Sequence, residues 1–286
     1  MDRQLRVAGI FMLWIFLWDD EIDGAGTIVS QSESHASIYC QNSLEFARLV
    51  LGLGEIDSKQ SNKHSRDLQN LSCPVPTMVY FQDASEVLRT ALNLNQRNRL
   101  LKELCSYMAW TVKELVVRES GTITTPDQYM ELRNWTSGIY PVIAIFEFIS
   151  QVKIDESLME SDEMKTIWKE TCYLCMLIND IHSFPKEMAS GSTLNAIPIL
   201  FHADETKDLT NVMFNLKESL ALSVDRFDRA RSKLSSQLTG TSSHPQVMQY
   251  IDTCRTTVTG LLTWSLSTQR YSLSRYSVDG RVVITL

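Results

Sequence analysis

From Val7 to Trp18 the chain is apolar almost without interruption. The run then closes on four acids within five positions, Asp19, Asp20, Glu21 and Asp23. This pattern predicts a helix over about Arg3–Asp23, apolar on nearly all sides as a fully surrounded helix should be, and stopped by the glycines at 24–26. A second helix is expected over about Ser32–Leu53, carrying Ile38, Leu44, Phe46, Leu49 and Val50. Polar residues dominate from Gly54 to Thr77, which reads as an exposed loop. Helical spacing resumes over about Asp83–Arg118, with a break near Asn93–Asn95.

Thr125-Pro126-Asp127 is a helix start, with proline in the first turn. The helix that follows carries Tyr129, Arg133 and the small pair Ser137-Gly138, and runs on to Phe148. A helix over about Asp162–Met188 contains Pro185, which removes one backbone hydrogen bond to the Ile181 carbonyl and should kink it. Ser190–Asn195 reads as a loop. Two long helices, about Asp208–Leu238 and His244–Arg275, close the pattern. Neither repeats nor a linker divide the chain, so it reads as one domain over 1–286.

Composition supports an all-α protein. Only 11 glycines and 7 prolines occur in 286 residues, and 44% of residues are apolar. Sparse breakers amid Leu, Met, Ala and Glu favour helix. A net charge of −7 without any basic block argues against nucleic acid as a partner. The six cysteines are scattered, which suits a cytoplasmic protein better than a disulfide scaffold. Cys172 and Cys175 form a C-x-x-C in mid-helix, where a structural role fits. The twelve-residue run Val7–Trp18 is too short to span a bilayer and lacks a small-residue cleavage site, so neither stable membrane insertion nor secretion is expected.

Chemistry is concentrated in two acidic or amide-rich stretches. Asp19 and Asp23 are one helical turn apart, about 40° around the axis, so both carboxylates face one way. In NDIHSFPKE, residues 179–187, Asn179, Ser183 and Glu187 follow i, i+4, i+8 and fan over about 80° of helix surface. Lys186, at i+7 from Asn179, lies about 20° away on the same face. An amide oxygen, a hydroxyl and carboxylates make an oxygen-only donor set, the kind that Mg²⁺ takes together with substrate phosphates. Two such motifs with a lysine nearby describe a trap for a diphosphate.

At these residues the chain resembles class I terpene synthases, in particular the single-domain microbial terpene cyclases. That family carries a DDxxD/E motif, here DDEID, and an N-D-x-x-S-x-x-x-E motif, here NDIHSFPKE. It also carries an Arg-Tyr pair near the C-terminus, here Arg270-Tyr271, and a diphosphate-sensing arginine at the position of Arg133. The resemblance runs from about Val7 to Tyr271. It implies a helical bundle around a central cavity, with the first helices of the family absent and the N-terminus truncated. It implies about three Mg²⁺ ions bound with the substrate diphosphate. Asp19, Asp23, Asn179, Ser183 and Glu187 would be ligands.

By the same resemblance Arg133, Lys186, Arg270 and Tyr271 would grip the diphosphate. Thr136 and Ser137 occupy positions that respond to it, and Trp264 is a pocket tryptophan. Phe11, Trp14, Trp18, Phe46 and Tyr140 fit core packing better than a cavity lining. The implied activity is ionisation and cyclisation of a linear prenyl diphosphate, farnesyl by size and family habit, with geranylgeranyl diphosphate as the alternative. Chain elongation would require a second aspartate-rich motif in place of Asn-Ser-Glu. An inactive homologue or a non-catalytic helical protein is the competing reading, and a homodimer is the one protein assembly considered.

Overall fold

A computed structural model describes residues 3–24, 26–54, 75–121, 124–189 and 191–271, together with the backbone of two short strands beyond them. The chain partitions into two compact units. One is formed by Met1–Glu119 and Tyr140–Gln151, the other by Ser120–Ile139 and Val152–Leu286.

The first unit is organised on helix α1, Arg3–Asp23. Its buried residues are Val7, Phe11, Trp14, Ile15, Trp18 and Ile22, a spacing that draws one stripe along a 3.6-residue helix. The expectation of a helix surrounded on all sides is therefore corrected: Leu5 is 62% and Leu13 48% exposed. Aromatic residues fill the buried face. Trp14 lies 4.6 Å from Phe81 of α3 (Met78–Ala91), and Phe11 lies 6.1 Å from the same ring. Trp18 sits 5.3 Å from both Tyr39 of α2 (Glu33–Val50) and Tyr107 of α4 (Leu94–Ser120). Its indole N–H donates to Ser43 Oγ at 2.9 Å. Phe11, Trp14, Trp18 and Phe46 are core residues.

The break expected near Asn93 is present. Asn93 Oδ1 accepts from Gln96 N at 3.0 Å, while Gln96 Oε1 accepts from Asn93 N at 2.8 Å. This reciprocal pair satisfies orphan donors where α4 begins. Short helices α6 (Ile139–Ile143) and α7 (Phe146–Ile149) follow much later in the chain. There Glu147 pairs with Arg99 of α4 at 2.8 Å, with both side chains nearly buried. Most of the polar stretch 54–77 lies outside the described residues.

In the second unit, α5 (Pro126–Thr136) starts in a capping box between Thr125 and Gln128. It ends where Ser137 caps it and Gly138 turns to φ +71°. A positive φ is easy for glycine and costly for other residues, so the expected helix through Phe148 is interrupted here. After α8 (Glu156–Met159) comes α9, Asp162–Ala189, the helix of this unit with the most buried residues, with Pro185 inside it. It packs against α11 (Leu209–Leu238) and α12 (His244–Ser267). Glu170 of α9, 2% exposed, accepts from Arg226 Nε at 2.8 Å and Nη2 at 2.9 Å, and from Ser223 Oγ at 2.7 Å.

The last helix stops at Ser267, eight residues short of the Arg275 expected from sequence, and Thr268 is its C-cap in extended backbone. Ser277–Val278 and Arg281–Val282 form a two-residue antiparallel pair. Among the described residues, no helix is long and apolar enough to cross a membrane.

Candidate active site

The acidic end of α1 is held from α4. Tyr107, almost fully buried, donates its hydroxyl to Asp19 Oδ1 at 2.7 Å. Burial and the nearby Asp19 hold the Tyr107 hydroxyl well above its ordinary pKa, so it stays a donor. Arg118 Nη1 pairs with Asp23 Oδ1 at 2.6 Å, and Arg118 Nη2 donates to the Ile22 carbonyl at 3.0 Å. Asp19 therefore has one oxygen directed by a phenol. Asp23 shares its charge with a guanidinium that a metal would have to compete with.

The amide-rich motif of the second unit is knit more tightly. Arg133 of α5 donates from Nη2 to Asn179 Oδ1 at 2.8 Å and from Nε to Asp180 Oδ1 at 3.3 Å. Asn179 Nδ2 in turn donates to the Tyr271 hydroxyl at 2.5 Å. Asp180, 1% exposed, also accepts from the Tyr129 hydroxyl and from the Ala196 backbone N–H at 3.1 Å. Two donors and a guanidinium make up for burying this charge. One turn on, Ser183 is buried and Glu187 half-buried. Asn195 Nδ2 donates to Glu187 Oε2 at 2.9 Å.

Burial raises the pKa of the Glu187 carboxyl, against hydrogen bonds from Asn195 and Ser183 and against Arg133, which all favour the ionised form. Burial likewise raises the Tyr271 hydroxyl pKa, against the nearby Arg270 and Arg133. A divalent cation would relieve the cost at Glu187, and the donors Asn179, Ser183 and Glu187 are all hard oxygens on one face of α9. Among the described residues no group of three or more His, Cys, Asp or Glu is arranged to hold a metal.

The model of terpene synthase family 2, C-terminal metal binding, matches residues 11–211, well over half of the chain. The chain belongs to that family. A sesquiterpene cyclase, hepA, of Aspergillus oryzae is 27% identical to it over 99% of this chain and 76% of its own length. The sesquiterpene synthase Agr1 of Cyclocybe aegerita is 25% identical over 94% and 70%. Among solved structures, the linalool/nerolidol synthase of Streptomyces clavuligerus superposes with a TM-score of 0.75 at 19% identity, covering 93% of this chain and 83% of that one. At that identity the superposition speaks for the fold, which is that of the all-α class I terpene synthases.

In this terpene synthase the structure gathers Arg133, Asn179 and Tyr271 into one hydrogen-bonded group. Arg133 pairs with Asn179 and Asp180, while Glu170 is taken by Arg226. Ser137 contacts Cys172 Sγ at 3.2 Å, behind the break that ends α5. Trp264 is 37% exposed and packs edge-on against Tyr271 at 5.6 Å. Lys186 and Arg270 are exposed. Because α12 ends at Ser267, the Arg270-Tyr271 pair follows the helix, and the two side chains take opposite environments: Tyr271 is 2% exposed.

Three participants escaped the sequence reading: Asp180, Tyr129 and Asn195. Asp180 was in view as the second letter of the motif, but only tertiary contacts reveal that it ties α5 to α9. An acid one residue off the expected ligand stripe was the available signal.

Proposed function

We propose that this terpene synthase ionises a linear prenyl diphosphate, farnesyl diphosphate by preference, and cyclises the resulting allylic cation to a sesquiterpene. The C–O bond breaks heterolytically and diphosphate leaves with the electron pair. The observation that carries the reading is the Arg133–Asn179–Tyr271 group, which links an oxygen donor of the amide-rich motif to a cation and a phenol suited to phosphate oxygens. The names of the similar fungal enzymes, sesquiterpene cyclase and synthase, favour the C15 substrate.

On this reading Asp19, Asn179, Ser183 and Glu187 hold Mg²⁺, with Asp23 joining if it is released from Arg118. Bound Mg²⁺ would supply charge neutralisation for the leaving diphosphate. The planar fork of Arg133 offers several fixed donors to phosphate oxygens. Lys186 and Arg270 add positive charge from exposed positions, and Tyr271 adds a hydroxyl donor. Trp264 presents an aromatic face, which attracts a cation by about 2 kcal/mol or more where water is excluded.

The test is incubation of the full chain with farnesyl and with geranylgeranyl diphosphate, with Mg²⁺ or with chelator, followed by analysis of volatile products and released diphosphate. A cyclic sesquiterpene formed from farnesyl diphosphate only with Mg²⁺ is expected. Cyclic product from geranylgeranyl diphosphate alone would change the substrate. Release of diphosphate from neither would leave an inactive homologue.

A further inference from the structure

Pro185 lies inside α9, two residues before Glu187. Proline has no backbone N–H, so the Ile181 carbonyl loses its helical donor there. The final turn, which carries Glu187, is tied to the rest of the helix by a ladder with one rung missing. A side chain from outside the helix bridges this point. Asn195, fully buried, donates from Nδ2 to the Asp180 carbonyl at 2.8 Å and to Glu187 Oε2 at 2.9 Å. Its Oδ1 accepts from Ile197 N at 2.9 Å and caps α10, Ala196–Ala203. The chemistry fixes this orientation: a carbonyl and a carboxylate only accept, and a backbone N–H only donates.

We infer that Asn195 is a positioning residue: it holds the Glu187 carboxylate in line with Asn179 and Ser183, across the gap at Pro185, for ligation of a divalent cation. The inference rests on the proposed reading of that stripe as a metal site. Asn195 spans the motif from its second residue to its last, and both Nδ2 hydrogens are used in doing so. Groups that orient a metal ligand from behind typically change affinity about 10–100-fold when replaced. Merely capping α10 would not require contact with Glu187 at all, because the cap is made by the other end of the amide.

The experiment separates the two roles. Asn195→Ser keeps a hydroxyl acceptor for the cap and deletes both donors. Mn²⁺ binding to the full chain is followed by electron paramagnetic resonance in the presence of inorganic diphosphate, beside a melting curve. Binding about 10-fold or more weaker than the parent is expected. In Glu187→Asp, whose shorter carboxylate is drawn back from Asn195, adding Asn195→Ser should weaken Mn²⁺ no further, since coupled residues are not additive. Equal affinity in Asn195→Ser and the parent, or the same fold-loss on both Glu187 backgrounds, would overturn the inference. If Asn195→Ser does not fold, Asn195→Asp, which keeps the volume and the cap, goes through the same cycle with the same criterion of additivity. A parent that binds no Mn²⁺ with diphosphate would instead sink the reading of the stripe as a metal site.

Discussion

The two oxygen-rich motifs are supported in different ways. At the end of α1, Asp19 and Asp23 have separate partners, one phenol and one arginine, and the Asp23–Arg118 pair is part-exposed on both sides. In α9, Asn179, Ser183 and Glu187 are partly or wholly buried and share a network that draws on α5, the turn before α10 and Tyr271. A part-exposed carboxylate such as Asp23 is solvated and can rearrange at little cost. An amide or carboxylate in a dry network is oriented before any ligand arrives, and every partner lost leaves a buried group unsatisfied. On the proposed reading the first motif would supply charge and the second geometry.

Removing one proposed ligand from each motif gives the largest expected effect. Asp19→Ala and Asn179→Ala should each lower turnover by about 10²–10³-fold, the range for losing one preorganised electrostatic group. Asn179→Ala should cost more stability than Asp19→Ala, roughly 1–3 kcal/mol, because it takes a partner from both Arg133 and Tyr271, whereas Asp19→Ala takes one from the Tyr107 hydroxyl alone. Steady-state kinetics beside denaturant unfolding checks both. Equal stability losses in the two variants would erase the distinction between the motifs, and retained turnover in either would remove that residue from the site.

Arg133→Lys comes next. Lysine keeps the charge but cannot offer Nε to Asp180 and Nη2 to Asn179 together. Turnover should fall by about tenfold or more while KM changes less. A variant that cyclises at the parent's rate would show that the fork is not used.

A smaller effect distinguishes Glu187 by pH. Its pKa in the folded protein is raised above the ordinary 4.5. The folded chain thus holds that proton more tightly than the unfolded one. This stabilising contribution is full below about pH 4.5 and is lost as pH rises through the folded value. Relative to the parent, Glu187→Gln without metal should melt higher at pH 7 than it does near pH 4. A difference that does not change with pH would mean that burial does not strain this carboxylate. Arg118→Ala should do least, no more than about 1 kcal/mol, as a part-exposed pair does. A larger loss by thermal melting would show the α1 motif to be as rigidly built as the α9 one.

Much of this was legible in the chain. The apolar run into Asp19 marked α1 to the residue, and the 4-residue spacing of Asn179, Ser183 and Glu187 placed them on one helix face. Asn93 and Thr125 announced helix starts through local capping. Local chemistry could not say which side of α1 is covered: its side chains are apolar all round, and only the neighbours present decide that Trp14 is buried and Leu13 exposed. The end of α12 was misjudged for a related reason, since nothing in the residues after Ser267 forbids a helix.

The sequence by itself determined the all-α class and the family and named the candidate oxygen donors, because period, capping and ligand type are properties of neighbouring residues. Tertiary structure alone decided what each donor touches. That Arg133 rests on Asn179, that Asp180 draws together Tyr129, Arg133 and Ala196, and that Asn195 reaches back to Glu187 all depend on packing between segments far apart in the chain. Hydrogen bonds act over about 3 Å. Spacing along one helix fixes the direction in which a side chain leaves it, and only the packed neighbour fixes what lies within that distance.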